Sequence, residues 1–211
     1  MKNIETKAGI IIPVIDGPIG ISVSGGADSA ILLYILMQHV DNPIHIINMC
    51  CKSMNRLYSD TALAVTTFCI NSTNKKDVKF TVEFVDSHNP KFAAQVLRKY
   101  IKNGIVDNVY TGMTATPSTE ILNTEFNIFL DQSIAATRNP NNSNREPPFE
   151  GCIAPFVAVN KKKIAELYEE YKVLDSLFPI TRSCYNKDIP TGHCKMCWWC
   201  DERRWAFGRY E

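Results

Sequence analysis

Residues 19–40 read IGISVSGGADSAILLYILMQHV, and the interpretation of the whole chain starts from this stretch. It contains a β-branched run, the glycine turn Ser24-Gly25-Gly26-Ala27-Asp28-Ser29 and an apolar segment that is predicted to be an amphipathic helix. Glycine adopts backbone angles that are closed to other residues, so successive amides of such a turn can point at one anion. The helix adds its positive N-terminal end. The sequence therefore predicts a cradle for pyrophosphate at residues 24–29.

Two polar residues fall in the first turn of this predicted helix. The Asp28 carboxylate and the Ser29 hydroxyl suit the free amides at a helix start, and Ser29 can also donate to a phosphate oxygen. The turn is not a Walker loop, because the required Lys-Ser/Thr spacing is missing, and it is not the dinucleotide fingerprint. The alternative is a glycine turn that only joins a strand to a helix.

The composition is that of an ordinary globular protein. Of the 211 residues, 45% are hydrophobic and 21% are charged, and the net charge is +1. This balance gives no general argument for nucleic acid or a membrane as a partner. No apolar run approaches the roughly 20 residues that span a bilayer, and the N-terminal segment does not resemble a signal peptide. We expect a cytoplasmic protein with a single domain at 1–211, of which 180–211 form a zinc-binding subregion.

Segments typical of strands and helices alternate along the chain. Strands are predicted at 19–23, 44–50, 79–85, 106–110 and 153–159, after a lead-in over 1–18 with one short strand. Helices are predicted at 27–38, 59–70, 91–102, 120–136 and 161–171, the last one capped by Asn160. This alternation predicts an α/β fold with a mostly parallel, doubly wound sheet of about five strands. Residues 137–149, rich in asparagine and proline, fit an active-site flap and a plain surface loop equally well.

Four of the eight cysteines lie near the end of the sequence, at Cys184, Cys194, Cys197 and Cys200. The last three are close enough for one tight turn or helix start to bring them together. Four thiolates close a tetrahedral Zn²⁺ site with no position for water, so we predict a structural zinc knuckle whose metal supplies folding energy. An iron–sulfur cluster uses the same ligands and is the first alternative, followed by free or redox-active thiols.

The residues around these cysteines have simpler interpretations. His193 is expected to face solvent, because four cysteines already complete the metal shell. Aromatic side chains alternate with arginines over 198–209, which fits a nucleic-acid surface, but acidic residues among them favour packing on the main domain or on a second subunit. Cys50, Cys51 and Cys69 are predicted to be small buried hydrophobic residues.

The glycine turn resembles the PP-loop of the ATP pyrophosphatase superfamily, whose pattern Ser-Gly-Gly-x-Asp-Ser is matched at every fixed position. The segment Thr181-Arg182-Ser183-Cys184-Tyr185, the cysteine cluster, Arg203 and the pair Ala206-Phe207 resemble 7-cyano-7-deazaguanine synthase. The stretch from Pro155 to Lys161 is similar to a further element of that family. The chain is thus identified as a member of the 7-cyano-7-deazaguanine synthase family or a divergent relative.

The resemblance implies an adenine nucleotide alpha-hydrolase-like fold and a ligase that forms AMP and pyrophosphate. Its substrates would be 7-carboxy-7-deazaguanine, a 7-deazapurine carboxylate, together with ammonia and ATP, and Mg²⁺ and Zn²⁺ would be bound. Ser24, Gly25, Gly26, Ala27, Asp28 and Ser29 would hold the phosphates. Asp28 and Lys161 would be catalytic, although Lys162 or Lys163 can take the place of Lys161, and three lysines at a helix start also fit a solvated face. The resemblance suggests a homodimer and no direct contact with nucleic acid.

One part of the sequence departs from this family. A stretch like Tyr-Pro-Asp-Cys-Arg is expected between the fourth and fifth strands, and residues 133–150 stand there without it. Activation by ATP is therefore better supported than the identity of the acceptor. The alternatives are a PP-loop sulfurtransferase acting on tRNA and a module that binds ATP without catalysis.

Overall fold

Seven strands and six α-helices are found in the computed structural model, which describes residues 2–51, 57–86, 90–126, 147–184, 186, 188–189 and 191–211. The strands are β1 (Lys2–Glu5), β2 (Ile11–Val14), β3 (Ile19–Ser22), β4 (Ile44–Cys51), β5 (Val78–Val85), β6 (Asn108–Thr111) and β7 (Cys152–Ile153). The helices are α1 (Ala27–His39), α2 (Leu57–Thr73), α3 (Pro90–Lys102), α4 (Thr119–Glu125), α5 (Lys161–Glu170) and α6 (Trp198–Phe207), with a 3-10 helix at Phe178–Ile180. Within these described ranges, no helix has the length and apolar character to cross a membrane.

The main sheet has five strands in the order β5-β4-β3-β6-β7, and all neighbouring strands run parallel. The chain adds β4 and β5 on one side of β3 and then returns to place β6 on the other side. In the register, Ser22 is opposite Ile47 of β4 and Thr111 of β6. The predicted α/β fold with a mostly parallel sheet is confirmed. Such a reversal of strand order opens a crevice at the carboxyl ends of the two central strands, where ligands of α/β proteins usually bind.

Helices cover both faces of this sheet. Successive residues of a strand point to opposite faces, and Ile46 and Ile47 of β4 illustrate this. Ile46 packs in the larger core with α1, α2 and α5, whereas Ile47 packs in a smaller core with Leu97 and Tyr100 of α3. The sheet is therefore doubly wound, as the alternation of strands and helices predicted.

Helix α1 is not amphipathic, and this part of the prediction was wrong. Every residue from Ser29 to Met37 is buried, and only Gln38 and His39 are exposed. The reason is that α1 lies between the sheet and helices α2 and α5, so that it has no face toward solvent. A helix that is apolar all round is typical of such an enclosed position.

The first 18 residues contain two strands instead of the single predicted one. β1 and β2 form a separate antiparallel pair in which Ile4 lies opposite Ile12. Ile12 and Val14 are buried, whereas Ile11 is 55% exposed and Pro13 is half-buried, so β2 shows the alternation of a sheet with one covered face. The Tyr110 hydroxyl donates to the Pro13 carbonyl at 2.6 Å, which ties this pair to β6.

Several predicted boundaries differ from the structure. α2 continues through residues 71–73, where the Thr73 hydroxyl donates to the Cys69 carbonyl at 2.8 Å, and it ends where Asn74 takes a positive φ of 54°. β6 begins at Asn108 instead of residue 106. Of the predicted strand 153–159 only Ile153 is in β7, because 154–159 form turns closed by hydrogen bonds such as Val157 N to Ala154 O. Of the helix predicted at 120–136, residues through Glu125 are helical and 127–136 lie outside the described residues, as do 137–146 of the predicted loop.

Candidate nucleotide site and metal centre

The glycine turn lies at the crevice between β3 and β6. It leaves β3 after Ser22 and enters α1 at Ala27, with Gly26 as the N-terminal cap. Gly25 has a φ of 82°, and a Cβ there would lie 2.9 Å from Thr61 Cγ2 of α2. Both the backbone conformation and the close approach of α2 thus require glycine at this position. The turn and the start of α1 occupy the place where an α/β sheet binds its ligand.

Hydrogen bonds between its two serines stabilise the turn. Ser24 N donates to Ser29 Oγ at 3.3 Å, and Gly26 N donates to Ser24 Oγ at 3.3 Å. Ser29 Oγ in turn donates to the Gly26 carbonyl at 3.2 Å. Ser24 is exposed, whereas Ser29 is buried. The hydroxyls therefore hold the amides of the turn in place, at the N-terminal end of a thirteen-residue helix that favours an anion.

A cavity of about 290 Å³ adjoins the turn. One side is polar and includes Ser24, Gly26, Asp28 and Ser29. The other side is apolar and is contributed by three different parts of the fold: Met49 of β4; Ala93, Ala94 and Leu97 of α3; and Met113, Pro148 and Phe149 from loops beside the sheet. This volume is at the lower end of the range of small-molecule sites, and the combination suits a ligand with a flat apolar part and a polar or anionic end.

Lys161, the first residue of α5, extends its ammonium group toward the turn. Its Nζ lies 3.2 Å from Asp28 Oδ2 and 3.0 Å from Glu202 Oε2 of α6. The Lys161 side chain is 5% exposed and that of Glu202 is fully buried, while that of Asp28 is 20% exposed. The structure thus brings together the two predicted catalytic residues, Asp28 and Lys161, which are more than a hundred positions apart in the sequence.

The three consecutive lysines differ in their surroundings. Lys161 is buried, whereas Lys163 pairs with Glu166 on the exposed side of α5 at 2.6 Å and the Lys162 ammonium lies 4.8 Å from the centre of the Trp205 ring. Asn160 caps the helix as predicted, since its side chain accepts from Lys162 N. The Tyr168 hydroxyl, two turns further along the same face of α5 as Lys161, donates to the Ala27 carbonyl at 2.8 Å, and burial raises the pKa of this phenol. Of the three lysines, Lys161 is therefore the one directed at the glycine turn.

The C-terminal segment contacts the turn through its backbone. Arg182 N donates to the Gly25 carbonyl at 2.9 Å. The fully buried Arg203 of α6 holds this segment, because its Nη1 donates to Thr181 Oγ1 at 2.9 Å and to Ser183 Oγ at 3.3 Å. Burial lowers the pKa of Arg203 to about 10, so that the guanidinium remains charged at neutral pH. The resemblance assigned Arg203 to a family motif, and here it fixes the segment that touches Gly25.

The sulfur atoms of Cys184, Cys194, Cys197 and Cys200 all lie within 4.8 Å of one another. The Cys197 and Cys200 sulfurs are 3.4 Å apart, and those of Cys194 and Cys200 are 3.9 Å apart. Four thiolates at about 2.3 Å from one Zn²⁺ would be about 3.8 Å apart, close to these separations. The backbone amides of Asn186 and Cys194 both donate to Cys184 Sγ at 3.4 Å, as in the outer shell of thiolate metal sites.

The chemistry of this group of thiols also fits a metal. The hydrogen bond that the Cys200 thiol shares with Cys197, and then burial, raise the pKa of Cys200, because negative charge so close to other sulfurs is unfavourable. A bound cation would remove this penalty, and α6 begins directly after Cys197 with its N-terminal dipole beside the sulfurs. The four predicted ligands are therefore arranged so that they could bind zinc or an iron–sulfur cluster.

His193 does not face solvent, so that expectation was wrong. Its side chain is 2% exposed, its Nδ1 lies 3.6 Å from Glu211 Oε1, and its Nε2 accepts from Ser183 N at 3.4 Å. Packing of the C-terminal aromatic residues on the main domain is confirmed, because the Phe207 ring stacks on Phe178 at 4.0 Å between centroids and Trp198 stacks on Phe126 at 5.6 Å. Cys50, Cys51 and Cys69 are all buried, as predicted.

Several residues of the site could not be recognised from the sequence. Glu202 is buried against Lys161, although its position among charged residues at 201–204 suggests a solvated helix face. Phe149 lines the cavity although it ends a stretch that was interpreted as a loop. Asn48 is recognisable in the sequence, since it and His45 are the two polar residues within the otherwise apolar β4. Its side chain donates to the Val23 carbonyl at 2.8 Å just before the turn.

Three solved structures with similarity to the chain are the U34-tRNA thiolase NcsA from Methanococcus maripaludis with its [4Fe-4S] cluster, NMN synthetase from Francisella tularensis and glutamine-dependent NAD+ synthetase from Acinetobacter baumannii in complex with ADP. Each is 14% identical, and the TM-scores are 0.46, 0.41 and 0.38. The alignments cover 74%, 75% and 81% of this chain and 57%, 63% and 33% of the other chains, so the chain spans less than two thirds of each of them. Similarity at this level carries no argument about substrate or chemistry.

No curated protein matches the chain. The model of the family described as Queuosine biosynthesis protein QueC matches residues 43–211, which include Lys161, Glu202 and the four clustered cysteines but not the glycine turn at 24–29. This match covers most of the sequence. With the parallel sheet, the crevice and the cysteine cluster in place, the chain belongs to the QueC family, the 7-cyano-7-deazaguanine synthase family.

Proposed function

We propose that this protein is an ATP-dependent ligase that converts 7-carboxy-7-deazaguanine to 7-cyano-7-deazaguanine with ammonia. Membership of the QueC family supports an ATP-using enzyme, and the specific substrate and reaction are the proposal. The observation that carries it is the meeting of Asp28 and Lys161 at the glycine turn, beside a cavity at the switch point of the sheet. An anion-binding turn and a buried lysine are what the release of pyrophosphate from ATP requires.

In this proposal the carboxylate of the substrate attacks the α-phosphorus of ATP, and pyrophosphate leaves. A carboxylate is a poor electrophile, and adenylation gives it AMP as a leaving group that ammonia displaces to form an amide. The amide oxygen then attacks the α-phosphorus of a second ATP and a second pyrophosphate leaves. Loss of AMP together with both protons of the amide nitrogen leaves the nitrile.

The residues of the chain have separate tasks in these steps. The amides of residues 24–29, held by the hydroxyls of Ser24 and Ser29, bind the departing pyrophosphate. Lys161 adds a positive charge, and Asp28 is the carboxylate available to hold Mg²⁺, which neutralises the phosphates when it is bound. The apolar side of the cavity, with Met49 and Phe149, receives a flat heterocycle.

We propose a structural Zn²⁺ for the cysteine cluster, because four sulfurs leave no position for a substrate. Residues 180–211 would then be a subregion of a single domain at 1–211, since α6 packs on α5 and Arg182 contacts Gly25. Metal analysis of the purified chain distinguishes zinc from iron, and acid-labile sulfide would contradict zinc.

The reaction is tested by incubating the protein with ATP, Mg²⁺, isotopically labelled ammonium and 7-carboxy-7-deazaguanine. We expect a nitrile that carries the label, together with AMP and pyrophosphate. A parallel incubation contains a sulfide donor and tRNA. Incorporation of sulfur, or hydrolysis of ATP that does not rise with any acceptor, would contradict the proposed ligase.

A further inference from the structure

Glu202 is a buried acidic residue to which neither the sequence nor the family resemblance gives a role. It lies on α6, two positions after the predicted metal ligand Cys200, and its side chain is fully buried. Its Oε2 is 3.0 Å from Lys161 Nζ, which is also 3.2 Å from Asp28 Oδ2. One ammonium group thus joins a carboxylate on the helix of the glycine turn to a carboxylate on the helix that starts at the cysteine cluster.

We propose that Glu202 is a positioning residue that holds Lys161 at the glycine turn and thereby couples the cysteine cluster to the nucleotide site. This inference rests on the proposed function, because it assigns Lys161 to the phosphates. A buried carboxylate is retained only when charge and hydrogen bonds compensate its desolvation, and Lys161 is at the right distance to do so.

Lys161 needs a second anchor because Asp28 has another task. A lysine has a flexible stem and a compact charge with three donors, so its ammonium goes wherever acceptors hold it. When Asp28 turns to Mg²⁺, the contact between Asp28 and Lys161 weakens. Glu202 then keeps the ammonium near the phosphates.

Helix α6 is held firmly enough to serve as this anchor. Arg203, the neighbour of Glu202, donates to Thr181, to Ser183 and, at 2.9 Å, to the Phe178 carbonyl, and its guanidinium stacks 3.7 Å from the centre of the Phe178 ring. The same helix is capped at Cys197, so its first turn is part of the cysteine cluster. A change at the cluster therefore reaches Lys161 through one short helix.

The direction in which pyrophosphate affinity changes when Glu202 is neutralised distinguishes a positioning role from a purely electrostatic one. A carboxylate that only adds negative charge near an anion site weakens anion binding, so its neutralisation would strengthen the binding of pyrophosphate. A carboxylate that positions Lys161 has the opposite effect, because its neutralisation frees the ammonium. Measurement of pyrophosphate affinity thus distinguishes the two roles.

The first experiment compares Glu202→Gln with Glu166→Gln in the 211-residue chain loaded with Zn²⁺. Glu166 is the matched control, because it pairs with Lys163 on the exposed side of the same helix as Lys161. Binding of pyrophosphate with Mg²⁺ is measured by calorimetry, and zinc content and the melting temperature are recorded. We expect Glu202→Gln to retain zinc and to bind pyrophosphate roughly five- to tenfold more weakly, because the ion pair that holds Lys161 is lost. Glu166→Gln should bind as the unchanged protein does. Equal or tighter binding by Glu202→Gln would overturn the proposal.

The second experiment measures the fraction of Zn²⁺ that the protein retains at equilibrium with EDTA, with and without pyrophosphate. Coupling between two sites is reciprocal, so pyrophosphate should protect the zinc of the unchanged protein and raise this fraction. Glu202→Gln should lose this protection, and Glu166→Gln should keep it. If Glu202→Gln does not fold, the test uses the unchanged protein only. Pyrophosphate that binds without protecting its zinc from EDTA then contradicts the coupling. If pyrophosphate binds but does not protect zinc, only the proposed coupling is contradicted. If neither pyrophosphate nor ATP binds, the proposed function is contradicted as well.

Discussion

Gly112 and Ser29 approach each other through their backbones, and a Cβ on Gly112 would lie 2.7 Å from the Ser29 amide nitrogen. Gly112 directly follows β6, and Ser29 is in the first turn of α1. The loops that follow the adjacent strands β3 and β6 are therefore in direct contact at the switch point of the sheet. This contact fixes the start of α1, and with it the amides of the glycine turn, relative to the rest of the crevice.

We expect Gly112→Ala to displace the start of α1. The new methyl group would meet backbone atoms, which cannot turn away as a side chain can, and overpacking of this kind costs about 1–3 kcal/mol of folding free energy. Calorimetry should show that pyrophosphate binding is lost at a temperature at which thermal unfolding shows the variant to be still folded. Gly104→Ala is the control, because a Cβ there meets nothing within 4 Å. Its positive φ lowers stability, but binding should persist, and equal binding by both variants would contradict the role of Gly112.

Ser24→Ala and Asp28→Ala should each abolish the formation of AMP while the protein remains folded. The first removes the acceptor for Gly26 N, and the second removes the carboxylate beside Lys161. Because Lys161 retains Glu202, the loss of Asp28 does not leave a buried ammonium alone. AMP release is measured by chromatography, and circular dichroism monitors the fold. Full turnover by both variants would be incompatible with a phosphate-binding turn.

Cys197→Ser should lower metal content and stability together. Metal binding supplies folding free energy to small thiolate sites, so loss of one ligand destabilises the segment that caps α6. Elemental analysis and thermal unfolding are the measurements. Cys69→Ser provides the comparison, because Cys69 is buried in the main core away from the cluster, and its change should reduce stability with full metal content. A Cys197→Ser protein with unchanged metal and stability would rule out a structural metal.

Stability should fall as the pH decreases through the titration of His45. Burial and then the charge of Lys79 lower the pKa of this histidine below its unfolded value of about 6.5, despite the opposing effect of Glu83. Because the folded state favours neutral His45, the unfolded chain binds more protons, and the contribution to stability is present above the unfolded pKa and lost toward the lower folded pKa. His45→Gln, which can still pair with Thr81, should lose less stability than the unchanged protein between pH 7.5 and pH 5. Parallel pH dependence of the two proteins in thermal unfolding would contradict this assignment.

The local elements with strong periodicity could be predicted from the sequence. The glycine turn between β3 and α1, the apolar strand β4 and the Asn160 cap of α5 each depend on neighbouring residues alone, and their positions agree with the structure to within one or two residues. The prediction of secondary structure failed where contacts between distant parts of the chain determine the backbone conformation. The run 153–159 is apolar enough for a strand, yet β7 ends at Ile153 because the following residues form turns.

The candidate site divides in the same way. Spacing predicted that Cys194, Cys197 and Cys200 meet, because residues three positions apart converge at the start of a helix, and Cys184 was added as the fourth thiol of the same segment. The structure brings all four sulfurs together. The choice of Lys161 over Lys162 and Lys163 needed the structure, since all three have the same local sequence and differ only in which face of α5 they occupy. The role of Glu202 could not be predicted from the sequence for a similar reason, because Glu202 is buried by the packing of α6 on α5, where it contacts Lys161.

The sequence by itself determined that a strand, a glycine turn and a helix follow one another near the start, and that four thiols near the end can meet. Both are consequences of local backbone geometry. The tertiary structure alone decided that these two distant features meet at Lys161, between Asp28 and Glu202. The physical reason is that the return of the chain to β6 and the packing of α5 and α6 bring together charges whose burial is tolerable only in pairs.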